Sequence, residues 1–372
     1  MPTRRLVLLS CLLLAVVFCA CTRNEPATPP AGGTAMTRLE AAQRTDAFKS
    51  GHPGHGQPSA PGGFFVPGWQ LDGTYFTRVD MRTGVGSLLQ PLDTSVGFLF
   101  GLTFDLDGTC YAFPAFGPQA ASNTSVLAKV DPVTGAMTPI NGDSPYDLIF
   151  AGPDIDSHGN LFVTGFTVGP PEDPENFQWY GGSSLWRVDK ATGALTEIGD
   201  TGNGEWMDLA FDSHDRLWTT ARNELWTLDT QTGEATFVTD IHGVPQADLP
   251  GDGCPEDWQW MEVMTLAFDQ RDVLYAAAMR GFSSCLEFIN TPVMRIDTHT
   301  GQATVIGYLQ TGGQCHGGDI MPTAVRICHR SRGDHFVPMT IPLSALPAHR
   351  AHGDFVPGVD PGDCGCDRER GQ

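Results

Sequence analysis

The chain has 372 residues, 41% apolar and only 17% charged, with 44 Gly, 28 Pro and a formal charge of −21. Many turn-formers and few charges suit short strands joined by turns better than helices, so the class expected is all-β. The acid surplus excludes nucleic acid and bare anionic membrane as partners, because both present negative charge.

Residues 1–21 carry Arg4 and Arg5, then the apolar run LVLLSCLLLAVVF, then a small-residue step before Cys21. Those features make an export signal. About 13 apolar residues fall short of the roughly 20 that span a bilayer. The ending FCAC resembles a bacterial lipobox, which implies lipidation at Cys21 and attachment to the cell envelope; Phe18 stands where such boxes carry Leu. Ordinary cleavage and secretion is the competing reading. Removal of the signal takes both arginines with it and leaves the mature chain more acidic still. Residues 22–63 are rich in Pro, Gly, Ala, Ser and Thr with few large apolar groups, too little to bury a core, and read as a flexible tether. His52 and His55 within it are expected to be merely solvated.

From 64 onward one phrase returns five times: VDMRTG (79–84), VDPVTG (130–135), VDKATG (188–193), LDTQTG (228–233) and IDTHTG (296–301). Each closes one strand-like run and opens another, so each is a hairpin turn with Asp capping amides and Gly in the left-handed position. A second phrase alternates with it, in GLTFDLDGTCYAF (101–113), GPDIDSHGNLFVTGF (152–166), DLAFDSHDRLWTTA (208–221) and TLAFDQRDVLYAAA (265–278). Its Asp105, Asp156, Asp212 and Asp269 are 51, 56 and 57 residues apart. Such periods mean propellers, solenoids or arrays. Each period holds four period-two strands, for example WMDLAF, RLWTTA, ELWTLD and EATFVT between Trp206 and Thr239. Residues 64–80 lack a first strand, and GGDIMPTAV near the end looks like one. A β-propeller of five four-stranded antiparallel blades, closed between N- and C-terminal strands over residues 64–326, accounts for both. A sixth sheet would have to come from 239–262 or 279–292.

The paired hairpin phrases resemble the β-propeller superfamily of bacterial exported proteins, near quinoprotein-like and NHL-type repeats. That resemblance implies architecture and is silent on chemistry, because propellers host hydrolases, oxidoreductases and pure binding platforms.

Both phrases are short turns, so one side of the disk is trimmed and the long connections 114–125, 167–184, 239–262 and 279–292 emerge on the other. Two of these set carboxylates beside Trp179, Tyr180, Trp258 and Trp260, with Trp206 near the entry of a neighbouring strand. Such plates suit a glycan face, a cationic group or a protein surface, or they fold inward as caps. Along the channel, Asp154 and Asp319 fall at equivalent places, with Asp208, Glu262 and His316 placed near the same rim. They could hold a cation or act as acid and base, against the plainer reading of hydrated channel walls. Calcium at Asp105, Asp107 and Asp156 competes with simple turn capping.

Beyond the signal, cysteines stand at 110, 254, 285, 315, 328, 364 and 366. Export favours pairing, with Cys254, Cys285, Cys328, Cys364 and Cys366 as candidates and Cys110 as a buried apolar residue. Residues 327–372 break the repeat. Their SALPAHRAHGD resembles a Cys-His segment found at the ends of exported bacterial proteins, with Arg350 where that segment carries Leu. Ser344 is expected to cap a short helix, with Pro347 in its first turn and Gly353 at its end. His349 and His352 then share a face and, with Cys328, His329 or Cys364, could bind zinc or copper. A disulfide from Cys328 to Cys364 or Cys366 is the competing use of that sulfur. A divalent metal, whether calcium, zinc or copper, is the only cofactor class these residues suggest.

The function expected is a monomeric binding platform for a surface ligand, glycan or protein, touching membrane only through its lipid. The alternative is a hydrolase or metal-dependent oxidoreductase using the channel carboxylates.

Overall fold

The computed structural model describes residues 63–70, 73–93, 98–115, 127–140, 148–167, 183–202, 206–221, 223–245, 261–280, 291–309, 317–331 and 336–361. Strands run in chain order as β1 (Phe64–Gln70), β2 (Gly73–Val79) and β3 (Gly86–Pro91) in sheet I; β4 (Phe98–Phe104), β5 (Cys110–Ala115), β6 (Ala128–Val130) and β7 (Met137–Pro139) in sheet II; β8 (Leu148–Ile155), β9 (Leu161–Thr167), β10 (Ser183–Val188) and β11 (Leu195–Asp200) in sheet III. Sheet IV holds β12 (Leu209–Phe211), β13 (Leu217–Ala221), β14 (Glu224–Leu228) and β15 (Ala235–Asp240), and sheet V holds β16 (Met261–Phe268), β17 (Leu274–Arg280), β18 (Thr291–Ile296) and β19 (Ala303–Leu309). The chain then returns: β20 (Asp319–Ile320) pairs antiparallel with β1, Phe64 opposite Ile320 and Phe65 opposite Asp319, and supplies the strand that sheet I lacked. The protein is thus a five-bladed propeller of four-stranded antiparallel sheets, as the repeat predicts.

The buried residues lie mainly in five layers, one between each pair of neighbouring sheets. Phe65 and Phe76 of sheet I meet Leu99, Leu102 and Phe104 of sheet II; further layers join II to III, III to IV and IV to V. The fifth sets Phe64, Val66 and Val79 of sheet I on Ala267, Tyr275, Val293 and Leu309 of sheet V. Phe65, Phe76 and Phe104 pack tilted and edge-to-face with ring centroids 5.1, 5.3 and 6.4 Å apart, and each buried ring contributes on the order of 2 kcal/mol.

The repeated turns work as their residues dictate. Asp80, Asp131, Asp189, Asp229 and Asp297 each accept two amides, such as Gln231 N–H at 2.7 Å and Thr232 N–H at 2.9 Å for Asp229. These bonds hold the five carboxyls below the usual carboxylate range. The closing glycine is needed twice over. Gly301 has φ +72°, and a side chain there would also strike the Asp240 carbonyl of the preceding sheet.

Between the first and second strands of a sheet the left-handed position is Gly108 or Gly159 in sheets II and III, but Asp215 (φ 56°) and Asp272 (φ 57°) in sheets IV and V. These aspartates offset the strain by reaching back to the preceding sheet, where Ser157 donates N–H and Oγ–H to Asp215 at 2.8 and 2.7 Å, and Ser213 does the same to Asp272.

After β20 the chain leaves sheet I and forms β21 (Ala324–Arg330), β22 (Phe336–Pro342), a 3-10 turn over 343–345 and helix α1 (Leu346–Ala351). Among the described residues no side chain caps α1. Ser344, the expected cap, is spent inside the fused 3-10 turn, and the helix begins at Leu346 with Pro347 in its first turn. Gly353 (φ +87°) ends it, as expected.

This C-terminal unit buries Val325, Ile327, Ile341, Leu346 and Val356 and receives Leu106 from the first hairpin turn of sheet II. The backbone of Gly358 lies against Gly159, and Leu343 against Gly108. The unit therefore sits on the short-turn side of the propeller, at sheets II and III.

Candidate functional site

The inner strands β20, β4, β8, β12 and β16 touch their neighbours in cyclic order, and three of them carry or adjoin an inward carboxyl. β-Bulges mark β4, β8 and β16, in β8 at Gly152 and Pro153 just before Asp154; a bulge re-aims the side chain that follows it.

Asp154 and Asp319 occupy matching places. Asp319 Oδ1 accepts Ile320 N–H at 2.6 Å and its Oδ2 accepts Phe104 N–H of sheet II at 2.8 Å. Asp154 Oδ1 accepts Ile155 N–H at 2.8 Å and its Oδ2 accepts Phe211 N–H of sheet IV. Asp208, fully buried, accepts Leu266 N–H of sheet V at 2.7 Å and Gly318 N–H, next to β20, at 3.2 Å. With Thr103 of sheet II bonded to Asp154 of sheet III, and Gly317 N–H donating to Met264 C=O of sheet V, every step around the inner ring is crossed by a hydrogen bond.

Thr103 Oγ lies 3.1 Å from both Asp154 Oδ1 and Asp319 Oδ2. A hydroxyl has one hydrogen to give, so it donates fully to only one of the two acids at a time. Burial, then the charge of Asp319, pushes Asp154 well above the usual range. Burial raises Asp319 to about 6 against the pull of Phe104 and Ile320 N–H. Asp208 also rises, by burial first and then by the Asp154 and Asp319 charges. The arrangement favours keeping a proton on the acid pair and can lace strands together.

Glu262, also expected at this rim, is not brought here. Glu262 sits at the beginning of β16, five residues before Ala267, the position in line with Asp154; at about 3.3 Å per residue it lies near the other end of the strand. Asp154 and Asp319 lie toward the short turns, two residues before Asp156 in the first case. The single rim read from sequence is therefore two ends of one set of strands. Trp206 is not a surface plate: it is 1% exposed, donates its indole N–H to Thr201 Oγ1 and meets Trp226 edge-on at 5.6 Å. Its loop position hid a buried cap. Trp179, Tyr180, Trp258, Trp260 and His316 lie outside the described residues, as do Cys21, Cys254, Cys285, Cys364 and Cys366.

The calcium reading of the turn acids gives way to protein donors. Asp105 pairs with Lys190 Nζ at 2.6 Å, Asp107 with Arg350 at 2.9 Å, and Asp156 takes His158 and Asn160 amides at 3.0 and 2.8 Å.

A second cluster lies in the C-terminal unit. Asp354, its side chain fully buried, accepts Nδ1 of His329 at 2.9 Å and Nδ1 of His349 at 2.6 Å on one oxygen, and Arg330 N–H at 2.8 Å on the other. Burial alone would raise its pKa, but the His329, Arg330 and His349 bonds win and lower it to about 2. Of the proposed ligands, His329 and His349 converge. Cys328 is disulfide-bonded and buried, so its sulfur is already spent. His352 is exposed, its ring 6.5 Å from that of His349. Asp354 was missed because H-G-D reads as a helix end. Cys110 is a buried free thiol raised by burial, consistent with a filling role.

No protein-family model matches the chain, and no curated protein does. Solved structures similar to it include a gluconolactonase from Xanthomonas campestris, at 13% identity over 76% of this chain and 86% of that one with a TM-score of 0.40. Another is a putative TolB from Agrobacterium tumefaciens, at 12% identity over 70% and 85% with a TM-score of 0.39. Virginiamycin B lyase from Staphylococcus aureus gives 15% identity over 66% and 70% with a TM-score of 0.33. At those values the activities in the names stay with those proteins.

Proposed function

We propose that this propeller is an exported, lipid-anchored binding platform that engages a glycan or protein surface on its long-connection side, where Trp179, Tyr180, Trp258 and Trp260 lie in sequence. One observation supports this over catalysis. The carboxylates that an acid–base mechanism would use, Asp154, Asp208 and Asp319, are engaged by Phe211, Leu266, Gly318 and Phe104 amides of neighbouring sheets. Groups that lace a ring lose strand pairing if they move with a substrate. The short-turn side, moreover, is where the C-terminal unit docks, at sheets II and III, which favours the long connections as the working surface.

The enzyme reading retains one point in its favour: two acids raised above their ordinary values flank one hydroxyl, Thr103.

The two separate on the soluble mature chain carrying Cys21→Ser. On a glycan array, binding is expected to disappear in a Trp179→Ala, Trp258→Ala, Trp260→Ala variant and to survive Asp154→Asn. Turnover in a panel of ester and lactone substrates that vanishes with Asp154→Asn or Asp319→Asn, without array binding, would overturn the platform. In the native host, palmitate label should depend on Cys21.

A further inference from the structure

Two imidazoles aimed at one buried carboxylate oxygen form a donor set that the propeller's own architecture does not call for. His329 is the penultimate residue of β21, His349 lies on α1 and Asp354 follows the helix, so three separate backbone segments supply the cluster. Their ligand atoms all lie within 4.8 Å of one another, and among the described residues this is the only such group of three.

Each segment is held independently. Cys328 and Phe355, the neighbours of His329 and Asp354, exchange backbone hydrogen bonds at 2.8 and 3.3 Å. Asp354 N–H returns to His349 C=O at 3.2 Å. Arg350 ties α1 to Asp360 and to Asp107 of sheet II, both at 2.9 Å. The scaffold is thus set without relying on the cluster, and the two rings remain partly open to solvent, at 38% and 23% exposure, while the carboxylate is sealed.

We infer that His329 Nδ1, His349 Nδ1 and Asp354 Oδ2 form a binding site for a divalent first-row transition ion of the zinc class, clamping α1 onto β21. Two nitrogens and one oxygen match such ions, and a hard ion such as calcium would ask for more oxygens. Bonds of about 2.0–2.1 Å in tetrahedral array need donor atoms about 3.3 Å apart. The 2.6 and 2.9 Å contacts therefore open by roughly half an ångström as the ion takes the place of the two ring protons facing Asp354, each of which moves to Nε2 of its own ring by way of solvent. A fourth position stays open to water. The ion would add a clamp to a unit whose buried core is only five residues with Leu106 and a few partners at its edge. This inference does not depend on the platform reading.

The test uses chelator-stripped mature chain with Cys21→Ser, titrated with zinc against a chromophoric chelator, then with Co²⁺ for its visible spectrum. One equivalent bound with a four-coordinate cobalt spectrum is expected. His329→Ala and His349→Ala should each weaken zinc at least 100-fold, whereas His352→Ala should change it less than threefold. Should either alanine variant misfold, His349→Gln, which can still donate to Asp354, serves with circular dichroism as the check on folding. Zinc binding that persists in His329→Ala plus His349→Ala, or that follows His52→Ala plus His55→Ala in the tether, would overturn the site. So would no binding at all to the folded chain.

Discussion

Raising the pH from 4 to 8 should cost this propeller stability through Asp319, the reverse of the usual acid effect. Its folded-state pKa stands at about 6 against an ordinary 3.8. Below 3.8 the carboxyl is protonated in both states and its contribution is complete. Between 3.8 and 6 the unfolded chain releases the proton and the folded one keeps it, so stability falls as pH rises; above 6 the contribution is gone. At about 1.36 kcal/mol per pH unit the loss is about 3 kcal/mol. The turn aspartates work in the opposite sense, being lowered and losing their contribution as pH falls, so the wild-type profile alone is a mixture.

Asp319→Asn isolates the term. Asparagine turns an amine toward one of the two amides that the carboxyl accepts, a fixed cost of about 1–3 kcal/mol, but it does not titrate. Urea denaturation from pH 4 to 8 should show the gap between wild type and variant shrinking by about 3 kcal/mol. Asp154, freed of a neighbouring charge, acts in the same direction. Parallel profiles would refute the burial argument.

Three further outcomes follow from packed pairs. Lys190→Met strands Asp105, whose side chain is 1% exposed, and should cost about 3 kcal/mol at pH 8 and less at pH 5, where Asp105, already raised by burial against the pull of Lys190, protonates more readily; equal losses by denaturation at both pH values would contradict this. Gly301→Ala should lower stability by about 1–2 kcal/mol or more, from a φ of +72° and the Asp240 carbonyl behind it, read as a fall in Tm. Arg350→Leu should release the C-terminal unit from Asp107 and Asp360, seen as faster proteolysis within 324–361 while the propeller fragment stays resistant.

The architecture was legible because hairpin chemistry is local. Asp, Thr and Gly in a six-residue phrase specify a turn wherever they occur, and four strands per period follow from alternation. Even the returning strand could be read, although only Asp319 and Ile320 of it pair. What sequence could not show depends on surfaces that meet without periodicity. Leu106 and Asp107 look like ordinary turn residues until Leu346 and Arg350 land beside them. Arg350 joins the C-terminal unit to the propeller through Asp107. Asp154 and Glu262 both face the inner ring by pattern, yet alternation records which side a residue points to and not which end of the strand it occupies. Trp206 has the composition of a surface plate and the environment of a core residue, a difference made by Thr201 and Trp226.

Assigning the working surface to the long connections depends on the axial carboxylates being committed to holding the ring. Native-state hydrogen exchange at Phe104, Phe211 and Leu266 measures that commitment amide by amide. All three should exchange only with global unfolding, at the same free energy as the innermost amides of the sheets. Exchange within minutes at these positions, with the rest of β4, β12 and β16 protected, would mean the acids are free for chemistry and would contradict it.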